Sequence, residues 1–396
     1  NRIASAAHAE SHARIVVQKY ILREMIRISG KVIQNAYDET TDVFNLLDEA
    51  ESELFKVTEG NIRKDYESMA SLLFKAQSEI EIAMQKEDGI NGVGSGFKEL
   101  DKITSGWQKS DMVVIAARPG MGKTAFVLSM ARNVAVDYKH PVAIFSLEMS
   151  SIQLVNRLIS GEAEIPAEDI RRGNFSKSEF EQFFERTKSL SEAPIFIDDT
   201  PALSIFELRA KSRRLKQQHN VQLIIIDYLQ LMSSGGKGGN REQEISNISR
   251  SIKEIAKELE IPIIALSQLS RSVETRGGDK RPMLSDLRDS GAIEQDADIV
   301  GFIYRPEYYQ LTEWPDGSPC NNQGEIIIAK HRNGSLKDVR LKFIGKYAKF
   351  SDLDGLTQND FMYNAGMKPN NDFGDDVSSF TMPSKMNDDS SNEDPF

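Results

Sequence analysis

Lys123 and Thr124 close a Gly-rich loop, Ala117-Arg118-Pro119-Gly120-Met121-Gly122-Lys123-Thr124. The loop follows an apolar β-type run, Met112 to Ala117, and opens a helical run, Ala125 to Val136. Strand, loop and helix in that order make a phosphate cradle. Backbone N–H groups between Arg118 and Ala125 can surround a β-phosphate, and the helix N-terminus adds the positive end of its dipole. The Lys123 ammonium can reach the β- and γ-phosphates, and the Thr124 hydroxyl can hold Mg²⁺. The first Gly of the G-x-x-x-x-G-K-[ST] pattern is Ala117 here, so that position does not use the backbone freedom that only Gly has.

Hydrolysis asks for more than a cradle. It needs a second carboxylate near Mg²⁺, a group to orient water, and positive charge on the γ-phosphate. Leu223 to Asp227 is an apolar strand ending in Asp, and Asp227 is expected to hold Mg²⁺ through water. Val142 to Glu148 is a second strand ending in a carboxylate. At the carboxyl edge of a parallel sheet Glu148 shares the crevice and can orient or deprotonate water; on local sequence alone a surface or N-cap Glu is an equal alternative. Ile264 to Gln268 ends a third strand, where the neutral Gln268 amide can sense a γ-phosphate without competing for the metal. Ile326 to Ala329 leads into Lys330-His331-Arg332-Asn333-Gly334, which makes Arg332 a candidate arginine finger for a neighbouring chain. A surface Arg at a hairpin is the alternative there.

Two Gly-containing basic segments follow these strands. Ser233 to Glu242 carries Lys237 and Arg241, and Ser270 to Pro282 carries Arg271, Arg276, Lys280 and Arg281. Each reads as a mobile loop, and two such loops beside a nucleotide site can meet a phosphate backbone. Neither has interleaved aromatics, so base stacking and sequence-specific readout are not expected.

Around these residues, Gly92 to Phe350 alternates strand and helix, the pattern of a parallel α/β sheet covered on both faces. The expected strands are Met112–Ala116, Val142–Ser146, Ile195–Ile197, Leu223–Ile226, Ile261–Leu266, Ile299–Tyr304 and Glu325–Ala329. The clearest helix is Glu242 to Leu259, with apolar residues three and four apart. Residues 1–58 read as helices that Gly30 and the Asn35-to-Asp42 region can break into a hairpin. His8 and His12 sit one helical turn apart but lack a third ligand. Residues 59–91 form a linker holding one amphipathic helix, Met69 to Met84, whose apolar stripe must be buried on its own domain or on a neighbouring subunit. Residues 92–352 form the nucleotide domain. Residues 353–396 lose all periodicity and are expected to be a disordered acidic tail.

The 396 residues carry a formal net charge of −11, of which −8 falls between Ser351 and Phe396. The near-neutral remainder can carry a local basic site, so net charge does not exclude nucleic acid. One cysteine, Cys320, excludes an internal disulfide and a Cys-rich zinc site and favours a cytoplasmic location. The apolar runs are too short to span a bilayer. The chain does not begin with Met, so it is expected to be a fragment or processed product.

These residues resemble the DnaB-type replicative helicases of bacteria. The resemblance runs from Asn1 to about Asp352. Its carriers are ARPGMGKT (Ala117 to Thr124), FSLEMS (Phe145 to Ser150), IIIDYLQLM (Ile224 to Met232), ALSQLSRS (Ala265 to Ser272), KRPMLSDLRDSGAIEQDADI (Lys280 to Ile299) and IIIAKHRNG (Ile326 to Gly334). Ala117 at the head of the loop is usual in that family. The resemblance implies a RecA-like ATPase domain in a homo-hexameric ring around single-stranded DNA, moving 5′ to 3′ and unwinding duplex, with primase and a helicase loader as partners. It matches Lys123, Thr124 and Asp227 to the nucleotide and Mg²⁺ positions, Glu148 to the catalytic glutamate and Gln268 to the γ-phosphate sensor. Lys330 and Arg332 match the pair that enters the adjacent subunit's site. Arg288, Asp289 and Gly291 match the channel loop on DNA phosphates, although the family usually carries Glu where Asp289 stands. The start of the chain looks like the end of an N-terminal helical domain, and Met69 to Met84 looks like the linker helix that docks on a neighbour. A recombinase-type DNA-binding ATPase that does not unwind is the alternative.

Overall fold

Met112–Ala117 (β1), Val142–Ser146 (β2) and Leu223–Asp227 (β4) are buried at every residue. A strand covered on both faces has no solvent side to alternate toward, which is why these segments read as unbroken apolar runs. The computed structural model describes residues 9–38, 68–86, 89–173, 176–233, 241–278 and 280–353, with scattered residues between 43 and 57. Two units separate at Leu353/Asp354, and the second, with the expected tail, lies outside the described residues.

The remaining strands are Ile195–Asp198 (β3), Ile263–Gln268 (β5), Ile299–Tyr304 (β6), Gln323–His331 (β7), Asp338–Ile344 (β8) and Lys349–Ser351 (β9). All nine form one sheet in the order β3-β2-β4-β5-β1-β6-β7-β8-β9. The expected parallel core is present from β3 to β6. Beyond it the sheet turns antiparallel. β8 and β9 are additions to the expected strands. β8 buries only alternate residues, Val339, Leu341 and Phe343, so it lacks the continuous apolar run that marks the core strands. β5 begins at Ile263 rather than Ile261 because Pro262 has no N–H to give the ladder.

The helices are Ala9–Ala36 (α1), Met69–Met84 (α2), Lys98–Thr104 (α3), Lys123–Arg132 (α4), Ser151–Ala163 (α5), Ala167–Arg172 (α6), Lys177–Ser191 (α7), Ile205–His219 (α8), Arg241–Leu259 (α9), Ser272–Thr275 (α10) and Gly291–Asp296 (α11). Side chains of β1 alternate between two cores, as the two-residue strand period requires. Val113 and Ile115 join Phe126, Met130, Leu154 and Leu158, so α4 and α5 cover one face. Met112 and Val114 join Leu208, Ile248, Ile252 and Ile255, so α8 and α9 cover the other.

α1 runs through Gly30 without a break, against the expectation for that residue; a lone Gly costs a helix only about 1 kcal/mol. The chain leaves the helix at Ala36, inside the second expected break. Ion pairs Arg27–Glu53 (2.7 Å) and Lys31–Glu49 (2.5 Å) tie α1 to residues beyond that turn. α2 is capped by Ser68, which accepts from the Ser71 N–H, and its apolar side chains Leu73, Ile80 and Met84 are exposed. No described helix is long and apolar enough to cross a membrane. His8 lies outside the described residues.

Candidate active site

The carboxyl ends of the parallel strands bring the motif residues to one edge of the sheet. Ala117 at the end of β1 is in register with Gln268 at the end of β5. Ser146 at the end of β2 is in register with Asp227 at the end of β4, and the Leu147 N–H donates to the Asp227 carbonyl at 2.7 Å. A crevice beyond the carboxyl ends of a parallel sheet is where such folds bind ligands.

The loop from β1 to α4 turns through two left-handed glycines, Gly120 at φ +80° and Gly122 at φ +98°. Gly122 is also hemmed in, since a Cβ there would stand 3.1 Å from the Phe350 ring. Ala117 needs neither freedom, because it is still a β1 residue paired with Gln268. Pro119 has no N–H, so the cradle's donors are its neighbours. Met121 and Ala125 are buried beneath the loop. The Arg118 side chain turns away from the cradle: it is 6% exposed, its Nη1 donates to the Leu269 carbonyl at 2.8 Å and its Nε to Glu274 at 2.9 Å.

The Thr124 hydroxyl donates to the Asp227 carboxylate at 2.9 Å. The Asp227–Tyr228 peptide bond is cis. Burial pushes the Asp227 carboxyl up, against the Thr124 hydrogen bond and the Lys123 charge. Lys123 rests on the Ala117 carbonyl at 3.2 Å. Burial pulls its ammonium down, while Asp227 and Glu148 pull it up. Glu148 itself is exposed, and its charge reaches Lys123, Asp227 and Tyr228. An ammonium, a hydroxyl–carboxylate pair and two left-handed glycines before a helix N-terminus are the donor set that a Mg²⁺-bound nucleoside triphosphate requires.

Gln268 is held through Gln230. Gln230 Oε1 accepts from the Gln268 N–H at 3.4 Å, and Gln230 Nε2 donates to the Ser267 hydroxyl at 2.9 Å. Gln230 follows Asp227 by three residues, so it links the end of β4 to the end of β5. Two cations at this edge escape sequence reading. Arg157 on α5 acts electrostatically on Asp227. Arg305 follows β6, donates to the Gly120 carbonyl at 3.3 Å and stacks 3.9 Å from the Phe343 ring centroid. The available signal for Arg305 is its position directly after a strand of the parallel core.

Lys330 and Arg332 are not at this edge. β7 runs antiparallel to β6, and His331 at its end pairs with Ile299 at the start of β6. Arg332 therefore stands at the amino edge of the parallel strands. Five residue steps of a strand separate the two edges by about 17 Å, beyond what an Arg side chain spans. Arg332 Nη2 donates to the Gln295 carbonyl at 2.6 Å, and Nη1 pairs with Asp298 at 3.2 Å. Lys330 Nζ donates to the Glu294 carbonyl at 2.5 Å. Asp111, at the same edge, is pushed up to about 6 by burial and then by Asp298.

Two cations of the second expected basic loop are engaged within the fold. Within Ser270 to Pro282, Arg276 pairs with Asp286, and Arg281 bridges Glu325 (2.5 Å) and Asp338 (2.6 Å). These two cations bind the fold together and are not free for phosphates. Arg241 opens α9 and engages Glu244 and the Gln230 carbonyl. Lys237 lies outside the described residues. Arg288 and Asp289 lie on a 3₁₀ turn, Leu284–Ser290, with their side chains outside the described residues, and exposed Gly291 begins α11.

Residues 92–352 match the family model of the DnaB-like helicase C-terminal domain. The replicative helicase DnaB of Geobacillus stearothermophilus is 46% identical over 353 residues, 89% of this chain and 76% of that protein. The replicative helicase DnaC of Bacillus subtilis (strain 168) is 45% identical, over 89% of this chain and 77% of that one. Among solved structures, an isolated ATPase domain superposes with a TM-score of 0.68 at 41% identity, covering 73% of this chain and all of that one. A DnaB-like replicative helicase, solved to describe its interactions with primase, superposes with a TM-score of 0.72 at 37% identity, covering 89% of this chain and 81% of that one. A nucleotide site on a parallel α/β core, matched at this identity over most of both chains, identifies the chain as a member of the DnaB-like replicative DNA helicases, ATP-dependent enzymes of DNA replication.

Proposed function

We propose that this chain works as one subunit of a homo-hexameric ring that hydrolyses ATP at subunit interfaces, moves 5′ to 3′ along single-stranded DNA and excludes the second strand. The observation that carries this is the separation of Lys123, Thr124, Asp227 and Glu148 at one edge of the sheet from Lys330 and Arg332 at the other. Arg332 cannot serve its own site, and a second copy brings it to a neighbour's.

Lys123 and the loop N–H groups bind the phosphates, and Thr124 with Asp227 holds Mg²⁺. Mg²⁺, when bound, neutralises charge on the β- and γ-phosphate oxygens. Glu148 orients the attacking water, and Arg332 of the adjacent copy stabilises the charge that develops on the γ-phosphoryl group. Gln268 reports whether that group is present. Arg288 and Asp289 on the 3₁₀ turn and Gly291 directly after it, together with Lys237 and Arg241, track DNA phosphates from the ring's interior. Residues 1–58 end an N-terminal helical domain, and α2 covers its exposed stripe on a neighbouring copy. Primase and a loader are the partners expected on this reading.

The test is ATP turnover with and without single-stranded DNA beside unwinding of a forked duplex. The reading requires both DNA-stimulated turnover and unwinding. Turnover with no unwinding would instead favour the recombinase-type ATPase.

A further inference from the structure

We propose that Asp298 is a positioning residue for hydrolysis in the neighbouring subunit, acting through Arg332 of its own chain. This rests on Arg332 being the trans cation. Asp298 begins the edge where β6 meets β1, and it is 5% exposed. One carboxylate oxygen accepts from the Met112 N–H at 2.8 Å and from Lys253 on α9. The backbone is pinned as well: the Asp298 N–H donates to the Met112 carbonyl at 2.9 Å, and the Arg332 N–H donates to the Asp298 carbonyl at 3.0 Å. The carboxylate is thus fixed to the sheet and to a core helix. Its second oxygen faces Arg332 Nη1.

The Arg332 side chain is 46% exposed, so burial does not hold it in one rotamer. An Arg side chain gives up more rotamer freedom on being fixed than most others, so its anchor must be firm. Asp298 at Nη1 and the Gln295 carbonyl at Nη2 fix the plane of the guanidinium. The same carboxylate is shared by Lys253 and Arg332, so one buried group orders both cations. Hydrolysis is sensitive to such aim, since a misplacement of about 1 Å can cost about a hundredfold in rate.

The experiment is a double-mutant cycle on phosphate release by the assembled, DNA-stimulated helicase, with thermal midpoints recorded throughout. Asp298→Asn keeps an acceptor for the Met112 N–H and removes the charge facing Arg332. It should lower kcat by about ten- to a hundredfold and leave KM for ATP within about twofold. In an Arg332→Ala background the same change should alter the residual turnover by less than about twofold, because the residue it acts through is gone. An equal loss in both backgrounds would assign Asp298 to the fold alone and overturn the proposal, as would parent-level turnover of Asp298→Asn. Parent-level turnover of Arg332→Ala would instead remove the trans cation itself, a distinguishable failure. If Asp298→Asn does not fold, Lys253→Met with Asp298→Asn removes the ammonium that has lost its carboxylate partner and enters the same cycle.

Discussion

The two edges of the sheet solve opposite problems. At the carboxyl edge, Lys123 rests on a single backbone carbonyl and Glu148 is exposed. Those groups are lightly held and ready to exchange their contacts for a phosphate and a water. At the amino edge, Asp298 is buried and tied to β1, α9 and Arg332. A site that must accept a ligand keeps loose partners. A site that must present one cation to another molecule needs a rigid base, because the orientation is not corrected by anything inside its own chain.

That contrast can be broken by experiment. Arg332→Ala should lower ATP turnover by about a thousandfold or more while nucleotide binding, read with a fluorescent ATP analogue, stays near the parent level. Normal turnover in that variant would place the γ-phosphate cation elsewhere, with Arg157 the next candidate. Glu148→Gln should cost about a hundredfold or more in turnover with binding retained, and a parent-level rate would mean that another group orients the water. Arg118→Ala should separate backbone from side chain. It strands the buried Leu269 carbonyl and should cost about 1–3 kcal/mol of stability, yet leave nucleotide affinity unchanged.

The smallest effect is at Asp111. Its folded pKa of about 6 lies above the ordinary 3.8, so the fold favours the protonated acid. The stability it contributes is complete below about pH 4 and lost as pH rises through about 6. Asp111→Asn should therefore raise stability at about pH 8, read by urea unfolding, by about 1–2 kcal/mol after solvent screening, and the gain should shrink toward about pH 5. A gain independent of pH would detach Asp111 from the charge cluster.

Much of the carboxyl edge is legible because its parts are contiguous in sequence. A loop closing in Lys123-Thr124, and apolar runs ending in Asp227, Glu148 and Gln268, each carry their own structural context. The amino edge is not legible without knowing the pairing of β6 with β7. Parallel pairing would have put Arg332 at the opposite end of the strand. The 3₁₀ turn before α11 and the 270–282 segment resist reading for a related reason. Arg276 and Arg281 look like free cations until Asp286, Glu325 and Asp338 arrive from elsewhere in the chain. Arg118 reads by sequence as a phosphate residue, and only the fold reveals that its side chain belongs to Leu269 and Glu274.

The opposed edges also restrict symmetry. An exchange in which each of two copies completes the other's site through the same patch would need Lys123 and Arg332 on one surface. They lie at opposite ends of the strands, which on the proposed trans reading suits a heterologous contact between copies, donor edge to acceptor edge. An open row of n such copies holds n − 1 completed sites, one idle Arg332 at one end and one unfinished P-loop at the other. Only closure of the row uses every site. On the proposed trans reading, opening such a ring to admit a DNA strand would silence one nucleotide site for as long as the gap persists, coupling loading to turnover through geometry.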